Sequence, residues 1–406
     1  MDSAPQAVKP GPVPLSNPSP ARRHRLIELD TLRGFLLLWM TLTHLPTKAS
    51  VISNQTFGFV SGAEGFIFLS AFMIGQLEQR LQARSGESAT VRDLAKRTLR
   101  IYGYHSALLL IAFFVFAEIG VAFHRLPIQN LLSFYLQDPG HALIAAFLLK
   151  YKPSLLDILP MYIVFMALTP LARKVASRWG WDPIIYTSFA LWAPAQFGLR
   201  AWLYQHFNLV GPKVPENSTG AFDFYSWQLL WIVGLALGTI YADRLAEPRV
   251  PGHGDFKPEG FPRWLVWLSV GISATFLVLR YSPTDRWVDP NILGWLTDKW
   301  HLGPARVINF SALAIVLVEF GSPVAHLPIL RWLSVMGQAS LEVFCVHILC
   351  CLAGVALSRE ADPQLQPLTQ VLLLTVTISL LLATAYGHKK RVAKRHAGPV
   401  PKLAPA

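Results

Sequence analysis

The sequence predicts an all-α fold, a polytopic bundle of about ten membrane-spanning helices with both termini in the cytoplasm. Of the 406 residues, 52% are hydrophobic and only 15% are charged, against about 25% charged in ordinary soluble domains. Apolar runs of about 20 residues recur along the whole chain, and this length crosses a bilayer as a helix. Helices are expected because each one satisfies its own backbone polar groups in lipid.

The ten spans are expected within one integral-membrane domain, 26–388. It lies between a tail at 1–25, which is rich in proline and expected to be disordered, and a basic tail at 389–406. The first apolar run follows basic residues and has no small-residue cleavage site, so we expect it to be retained as an anchor. The predicted spans, in chain order, are 31–48, 57–77, 101–123, 155–172, 183–203, 224–242, 264–282, 306–322, 335–357 and 367–387.

The net charge of +12 is explained by topology. The segments that we place in the cytoplasm hold 24 of the 36 Lys and Arg residues, which is the positive-inside bias of membrane proteins. The basic runs at 22–25 and 388–396 are therefore interpreted as topology anchors, and no nucleic-acid partner is expected. The three cysteines all fall in the ninth predicted span, where neither a disulfide framework nor a zinc site is expected.

Arg33 and His44 are the most informative pair. They lie eleven residues apart in the first span, LRGFLLLWMTLTHL, so they share one helix face about 16 Å apart along the axis. Ionisable groups in a bilayer are costly and usually functional. Glu64, in the second span, lies at a depth similar to that of His44 and could orient its imidazole as a general base. The alternative is a purely structural buried hydrogen bond.

A basic segment precedes the third span, with the sequence VRDLAKRTLRIYGYH. Arg92, Lys96 and Arg100 fall on one helical stripe that could hold the phosphates of a nucleotide-bearing donor or contact anionic lipid headgroups. His105 follows one turn inside the membrane. Asp30 lies three residues before Arg33, so the two could pair, either at the site or simply at the membrane boundary.

Polar and aromatic residues also cluster on the external side. Asp157 lies at the start of the fourth span, and Trp227 stands beside Gln228 in the sixth. Aromatic rings with nearby polar groups suit sugar rings, although Trp and Tyr are also common at membrane interfaces. His347 and Glu342 are five residues apart on the ninth span, about 140° around the helix, so they are not a direct pair and either could face a cavity.

Several enzyme classes lack their motifs in this sequence. There is no Walker loop, no dinucleotide fingerprint, no HExxH and no GxSxG elbow. A serine hydrolase or a metalloenzyme is therefore not supported. We expect no metal site and no bound cofactor.

The segment IELDTLRGFLLLWMTLTH resembles the start of the integral-membrane acyltransferase type 3 superfamily, which is marked by Arg, ten residues and then His. Five further segments resemble its OpgC-like branch in the expected order: FGFVSGAEGFIFLS, RTLRIYGYH, KYKPSLLDILPMYIVFMALTP, FYSWQLLWIVGLALG and GQASLEVFCVHIL. Two positions depart from the branch. Ser61 stands where an acidic residue is common, which bears on the acceptor, and Ala71 stands where Gly is usual.

The resemblance implies a multi-pass enzyme of the bacterial inner membrane. It would move an acyl group, typically succinyl, from cytoplasmic acyl-CoA to a periplasmic glucan or related envelope glycan. The expected catalytic residues are His44 and Glu64, and those expected to bind the acyl-CoA donor are Arg33, Arg97, Arg100 and His105. Residues expected to contact substrate are Asp30, Asp157, Tyr162, Trp227, Gln228 and His347.

Two other functions are consistent with the same residues. A proton-coupled transporter or flippase could use His44 and Glu64 as a proton relay, and a non-catalytic membrane module could use them only to lock the bundle. Consumption of a thioester separates the acyltransferase from both alternatives. Unchanged uptake after substitution of His44 would count against the transporter.

Overall fold

The computed structural model describes residues 27–207, 211–246, 260–358 and 365–396. Over these residues the regular structure is helical, without strands. The predicted tail at 1–25 lies outside the described residues. The α-helices, numbered in chain order, are α1 (Ile27–His44), α2 (Lys48–Ser53), α3 (Gly62–Ile111), α4 (Ala117–Ala122), α5 (Leu126–Leu131), α6 (Ser133–Gln137), α7 (Pro139–Phe147), α8 (Ile158–Trp179), α9 (Asp182–Ala195), α10 (Leu199–Phe207), α11 (Phe224–Ala246), α12 (Arg263–Tyr281), α13 (Pro290–Leu296), α14 (Pro304–Ala325), α15 (Arg331–Gln338), α16 (Ser340–Leu357) and α17 (Pro367–His396).

Seven helical segments among the described residues are long and apolar enough to cross a membrane. The first, Gly62–Ala122, runs from α3 through a π-helical turn at Ala112–Phe116 into α4. It reverses at Gly86, whose φ of 80° and ψ of 173° are tolerated essentially only by glycine. This segment therefore contains the second and third predicted spans. The all-α, membrane-spanning class is confirmed.

The other six long segments match the fourth, sixth, seventh, eighth, ninth and tenth predicted spans. The first predicted span falls on α1, which carries Glu28, Asp30 and Arg33 within 18 residues. The fifth falls on α9 and α10, which are separated by a break. α17 continues to His396, beyond the predicted domain boundary at 388. The number of crossings and the side of the termini stay predictions.

Close backbone contacts fix α1 between its neighbours. A Cβ atom at Gly34 would collide with the carbonyl of Leu333 on α15, and one at Gly337 would collide with the carbonyl of Asp30. On the α3 side, Gly62 packs so closely that a Cβ there would lie 2.8 Å from Met40. Small residues permit this kind of close helix approach in membrane proteins. The helix that carries Arg33 and His44 is therefore rigidly placed.

Residues 124–154 differ from the sequence prediction, which treats them as an external loop. They form α5, α6 and α7, which fold back along the third predicted span. Gln129 donates to the carbonyl of Gly120 at 2.6 Å, and the Tyr135 ring stacks on Phe113 at 4.3 Å. At the far end, the Tyr102 hydroxyl donates to the carbonyl of Phe147 at 3.0 Å. Asp138 and Pro139 divide this apolar segment, so it lacks the continuous run that marks a span.

Candidate active site

His44 and His347 form the centre of the site. His44 is the last residue of α1 and is half-buried, whereas His347 on α16 has no exposed surface. The Nδ1 atom of His44 lies 3.5 Å from Nε2 of His347, and the ring centroids are 5.5 Å apart. One turn further along α16, Sγ of Cys351 lies 3.5 Å from Nδ1 of His347. Two imidazoles and a thiol therefore form a chain of contacts that ends at His44, which keeps part of its surface exposed.

Glu64 is not the hydrogen-bonding partner of His44, which corrects the sequence prediction of a direct pair. The Glu64 carboxylate has no exposed surface and pairs with Arg306 of α14, whose Nε donates at 2.8 Å and whose Nη2 also donates. Its second oxygen accepts from the backbone N–H of Ser61 at 3.0 Å and from the Ser61 hydroxyl at 2.5 Å. Ser61 and Glu64 thus form the capping box of α3, and the carboxylate is fully occupied there.

Lys299 brings a positive charge close enough to act on the histidine pair. Its ammonium lies 4.9 Å from the ring centroid of Trp300 and 5.8 Å from that of Phe222, which is cation–π geometry. It acts electrostatically on His44 and on the Glu64–Arg306 pair. Burial lowers the pKa of Lys299, and Glu64 partly offsets that effect.

Lys152 and Asp157 both lie against Gly220. A Cβ at Gly220 would lie 3.0 Å from Lys152 and 3.3 Å from Asp157. The buried Asp157 carboxylate accepts from the backbone N–H of Ala221 at 3.1 Å. Burial lowers the pKa of Lys152 to about 8, and Arg200 adds to the lowering. Lys152 therefore stays mostly protonated at neutral pH. Among the described residues, neither its ammonium nor that of Lys299 has a carboxylate within ion-pair distance.

Arg33 lies on the same unbroken helix as His44, as the eleven-residue spacing predicts. Its guanidinium acts electrostatically on the phenol of Tyr162, whose ring packs edge-on against Trp231 at 5.0 Å. Asp30 is buried on α1, with its carbonyl against Gly337. The predicted placement of Arg33 and Tyr162 in one site stays a prediction.

The residues of the basic segment at the start of the third span differ in their exposure and in their hydrogen-bonding partners. Arg97 donates to Asp93 at 2.5 Å along its own helix, while Arg92, Lys96 and Arg100 are exposed. His105 is fully buried, and neither ring nitrogen has a hydrogen-bonding partner among the described residues. Only the exposed stripe is thus open to a large anionic ligand.

Trp227 and Gln228 are packing residues in the structure and not sugar ligands, which corrects their predicted role. Trp227 has no exposed surface, and its indole N–H donates to the carbonyl of Trp300 at 3.1 Å. Gln228 exchanges hydrogen bonds with Ser188, whose hydroxyl donates to it at 2.7 Å. A ring enclosed on all sides cannot stack on a sugar. The half-exposed aromatics nearby are Phe222 and Trp300.

Sequence reasoning did not single out Arg306, Lys299 or Cys351. Arg306 offered a signal, because it is an ionisable residue at the start of the eighth span and such residues require a partner. Lys299 lies in a segment between two predicted spans, where a lysine is unremarkable. Cys351 could not be distinguished by sequence from the other two cysteines of the same span, because its role depends on which side chain lies next to it in the fold.

Comparisons with known proteins agree with the resemblance seen in the sequence. No curated protein and no solved structure matches the chain significantly. A family model described as OpgC protein matches residues 25–392, which is most of the chain. It spans α1, α3, α14 and α16, the helices that build the histidine pair and the Glu64–Arg306 pair. The chain belongs to the OpgC family.

Proposed function

We propose that this protein is an O-acyltransferase that moves a succinyl group from succinyl-CoA on the cytoplasmic side to a hydroxyl of a periplasmic glucan. Membership of the OpgC family makes it a membrane acyltransferase of periplasmic glucans. The bacterial inner membrane, the acyl-CoA donor and the succinyl group belong to the proposal. The observation that carries it is the half-buried His44 imidazole, held by His347 beside a cationic region.

The chemistry requires one base and balances without a metal or bound cofactor. His44 takes the proton of the acceptor hydroxyl as the oxygen attacks the thioester carbonyl, so that a C–O bond forms. The tetrahedral intermediate then breaks its C–S bond, and the proton on His44 passes to the departing CoA sulfur. A positioned base of this kind contributes roughly 10²- to 10⁴-fold.

The succinyl assignment is supported by the two lysines. Succinyl carries a free carboxylate at the end remote from the thioester. Lys299 acts electrostatically on His44, and Lys152 and Lys299 both act on the buried Asp157 carboxylate. Among the described residues, neither ammonium forms a direct ion pair with a carboxylate. An acyl group that ends in a carboxylate would supply the missing partner, whereas an acetyl group would not.

The donor is proposed to enter from the cytoplasmic side. The exposed stripe of Arg92, Lys96 and Arg100 suits the phosphates of CoA. Arg33 would hold the donor deeper along α1, on the face that leads to His44. A donor and an acceptor on opposite sides of the membrane need a polar passage, and the shared face of α1 would line it.

The test is His44→Ala in a strain that lacks the native gene. The matched control is His206→Ala, because His206 is an exposed histidine at the end of α10. Mass spectrometry of the periplasmic glucans should show succinyl groups with the wild type and the control but not with His44→Ala. A membrane blot confirms expression of each variant. Wild-type levels of modified glucan with His44→Ala would overturn the proposed function.

A further inference from the structure

We propose that His347 is a positioning residue for His44, and that it fixes the tautomer in which Nε2 of His44 can accept a proton. This inference rests on the proposed function and assigns to His347 the orienting role that was predicted for Glu64. It also corrects the prediction that His347 touches substrate. Since His347 has no exposed surface, it can act only through His44.

The contacts of His347 are few and directional. Its Nε2 faces Nδ1 of His44 and its Nδ1 faces Sγ of Cys351, each at 3.5 Å. Phe344, on the same helix, covers the ring at a centroid distance of 5.6 Å. Among the described residues, no carboxylate contacts either imidazole, and Lys299 is the charged group that acts on His44. The orientation of His44 therefore depends on a neutral ring.

Two proton arrangements satisfy these contacts, because each neutral imidazole has one donor and one acceptor nitrogen. In the first, His44 donates from Nδ1 to His347, and His347 donates from its own Nδ1 to the Cys351 sulfur. In the second, the Cys351 thiol donates to His347, and His347 donates from Nε2 to His44. Only the first leaves the lone pair of His44 on Nε2, the nitrogen that faces away from His347. Catalysis requires the first arrangement.

A neutral partner suits this location better than a carboxylate. A carboxylate without exposed surface loses its hydration, which is strongly unfavourable within a membrane unless the carboxylate is fully paired. Glu64 avoids that cost by hydrogen bonding to Arg306 and Ser61. Its carboxylate is therefore not available to orient His44. When His44 gains a proton at Nε2, its Nδ1–H still donates to His347, so the orientation persists through the reaction.

The experiment compares His347→Gln with His347→Leu in detergent-solubilised protein. The Gln side chain can place a carbonyl oxygen near the position of Nε2 and accept from Nδ1–H of His44, whereas Leu cannot. With succinyl-CoA and isolated periplasmic glucan, we expect His347→Leu to lower kcat about 10- to 100-fold, a part of the loss for a missing base. KM for both substrates should stay within about twofold, and His347→Gln should recover most of kcat.

Two further variants separate positioning from damage to the fold. His347→Leu combined with His44→Ala should be no slower than His44→Ala alone, because both changes remove one function. Cys345→Ala is the matched control on the same helix, and it should keep the wild-type kcat. If His347→Leu fails to fold, Cys351→Ala serves instead, because it removes the acceptor of His347 and should lower kcat while KM is unchanged.

The outcomes are distinguishable from failure of the proposed function. An active His44→Ala overturns the acyltransfer mechanism itself. An inactive His44→Ala, together with a folded His347→Leu at the wild-type kcat, overturns only the role of His347. A folded His347→Gln that is as slow as His347→Leu also overturns it, since the hydrogen-bond acceptor would then not matter. If Cys351→Ala is used because His347→Leu does not fold, a wild-type kcat for Cys351→Ala likewise overturns the role of His347.

Discussion

Glu64→Gln should destabilise the protein far more than it slows the chemistry. Neither Glu64 nor Arg306 has exposed surface, and two guanidinium nitrogens donate to one carboxylate oxygen. The substitution removes the negative charge but leaves the Arg306 guanidinium buried and positive. The other carboxylate oxygen holds Ser61 at the start of α3, and the amide oxygen of Gln can retain that contact.

The expected cost is about 3–5 kcal/mol, the usual effect of removing one partner of a buried ion pair. Glu64→Ala should cost about 0.5–2 kcal/mol more, because the capping interactions at Ser61 are then lost as well. Adding Arg306→Met to Glu64→Gln should recover part of the lost free energy of unfolding, since no uncompensated charge remains. Glu319→Gln is the matched control, because Glu319 is exposed on the same helix as Arg306.

Thermal stability is measured in detergent as the loss of the monodisperse size-exclusion peak after heating. Denaturant titration gives the free energy of unfolding. Activity is measured below the midpoint on the protein that remains folded, and we expect it within a few fold of the wild type. A Glu64→Gln variant that has the melting temperature of the wild type but a kcat lower by 10²-fold or more would refute this reasoning. Glu64 would then be a catalytic group, as the sequence suggested.

Four further predictions concern other parts of the molecule. Gly34→Ala should lower the melting temperature by forcing α1 from α15, whereas Gly103→Ala, with nothing within 4 Å of its new methyl group, should not. Arg33→Ala should raise KM for succinyl-CoA, and Arg33→Lys should restore it only partly because a point charge lacks the guanidinium fork. Because burial lowers the pKa of Lys152 to about 8, this side chain loses its charge as the pH rises from 7 to 9. KM for succinyl-CoA should then rise in the wild type but not in Lys152→Met. A topology reporter fused after residue 252 should be cytoplasmic, and an external signal would overturn the predicted topology.

The sequence predicted correctly that Arg33 and His44 lie on one continuous helix, because both are on a single element and helical spacing alone fixes their relative direction. It failed for Glu64 because matched depth on two helices does not fix how each helix is rotated about its axis. That rotation is set by contacts such as Gly62 against Met40. Depth therefore placed Glu64 near the right level, while packing turned it toward Arg306.

The segment that contains α5, α6 and α7 shows a second limit. Hydropathy detects long uninterrupted runs, and the Asp138–Pro139 step breaks this one into short pieces. The pieces are stabilised by aromatic stacking on the third span, including Tyr135 on Phe113. Such contacts join residues more than twenty positions apart, so no local pattern reveals them.

Glu64 and His44 differ in how they are paired, and the difference bears on which of the two can act as a base. Glu64 and Arg306 have no exposed surface and satisfy each other with charged hydrogen bonds. Groups held in this way are stable and poorly available to a substrate. His44 instead has a neutral partner at 3.5 Å and keeps an accessible face. A base must be able to gain and lose a proton during each turnover, and a weak neutral partner permits this where a strong ion pair would oppose it. A weak neutral partner together with an exposed part of the ring supports the catalytic role proposed for His44, whereas His105, whose ring nitrogens have no partner among the described residues, is fully buried and cannot reach a substrate.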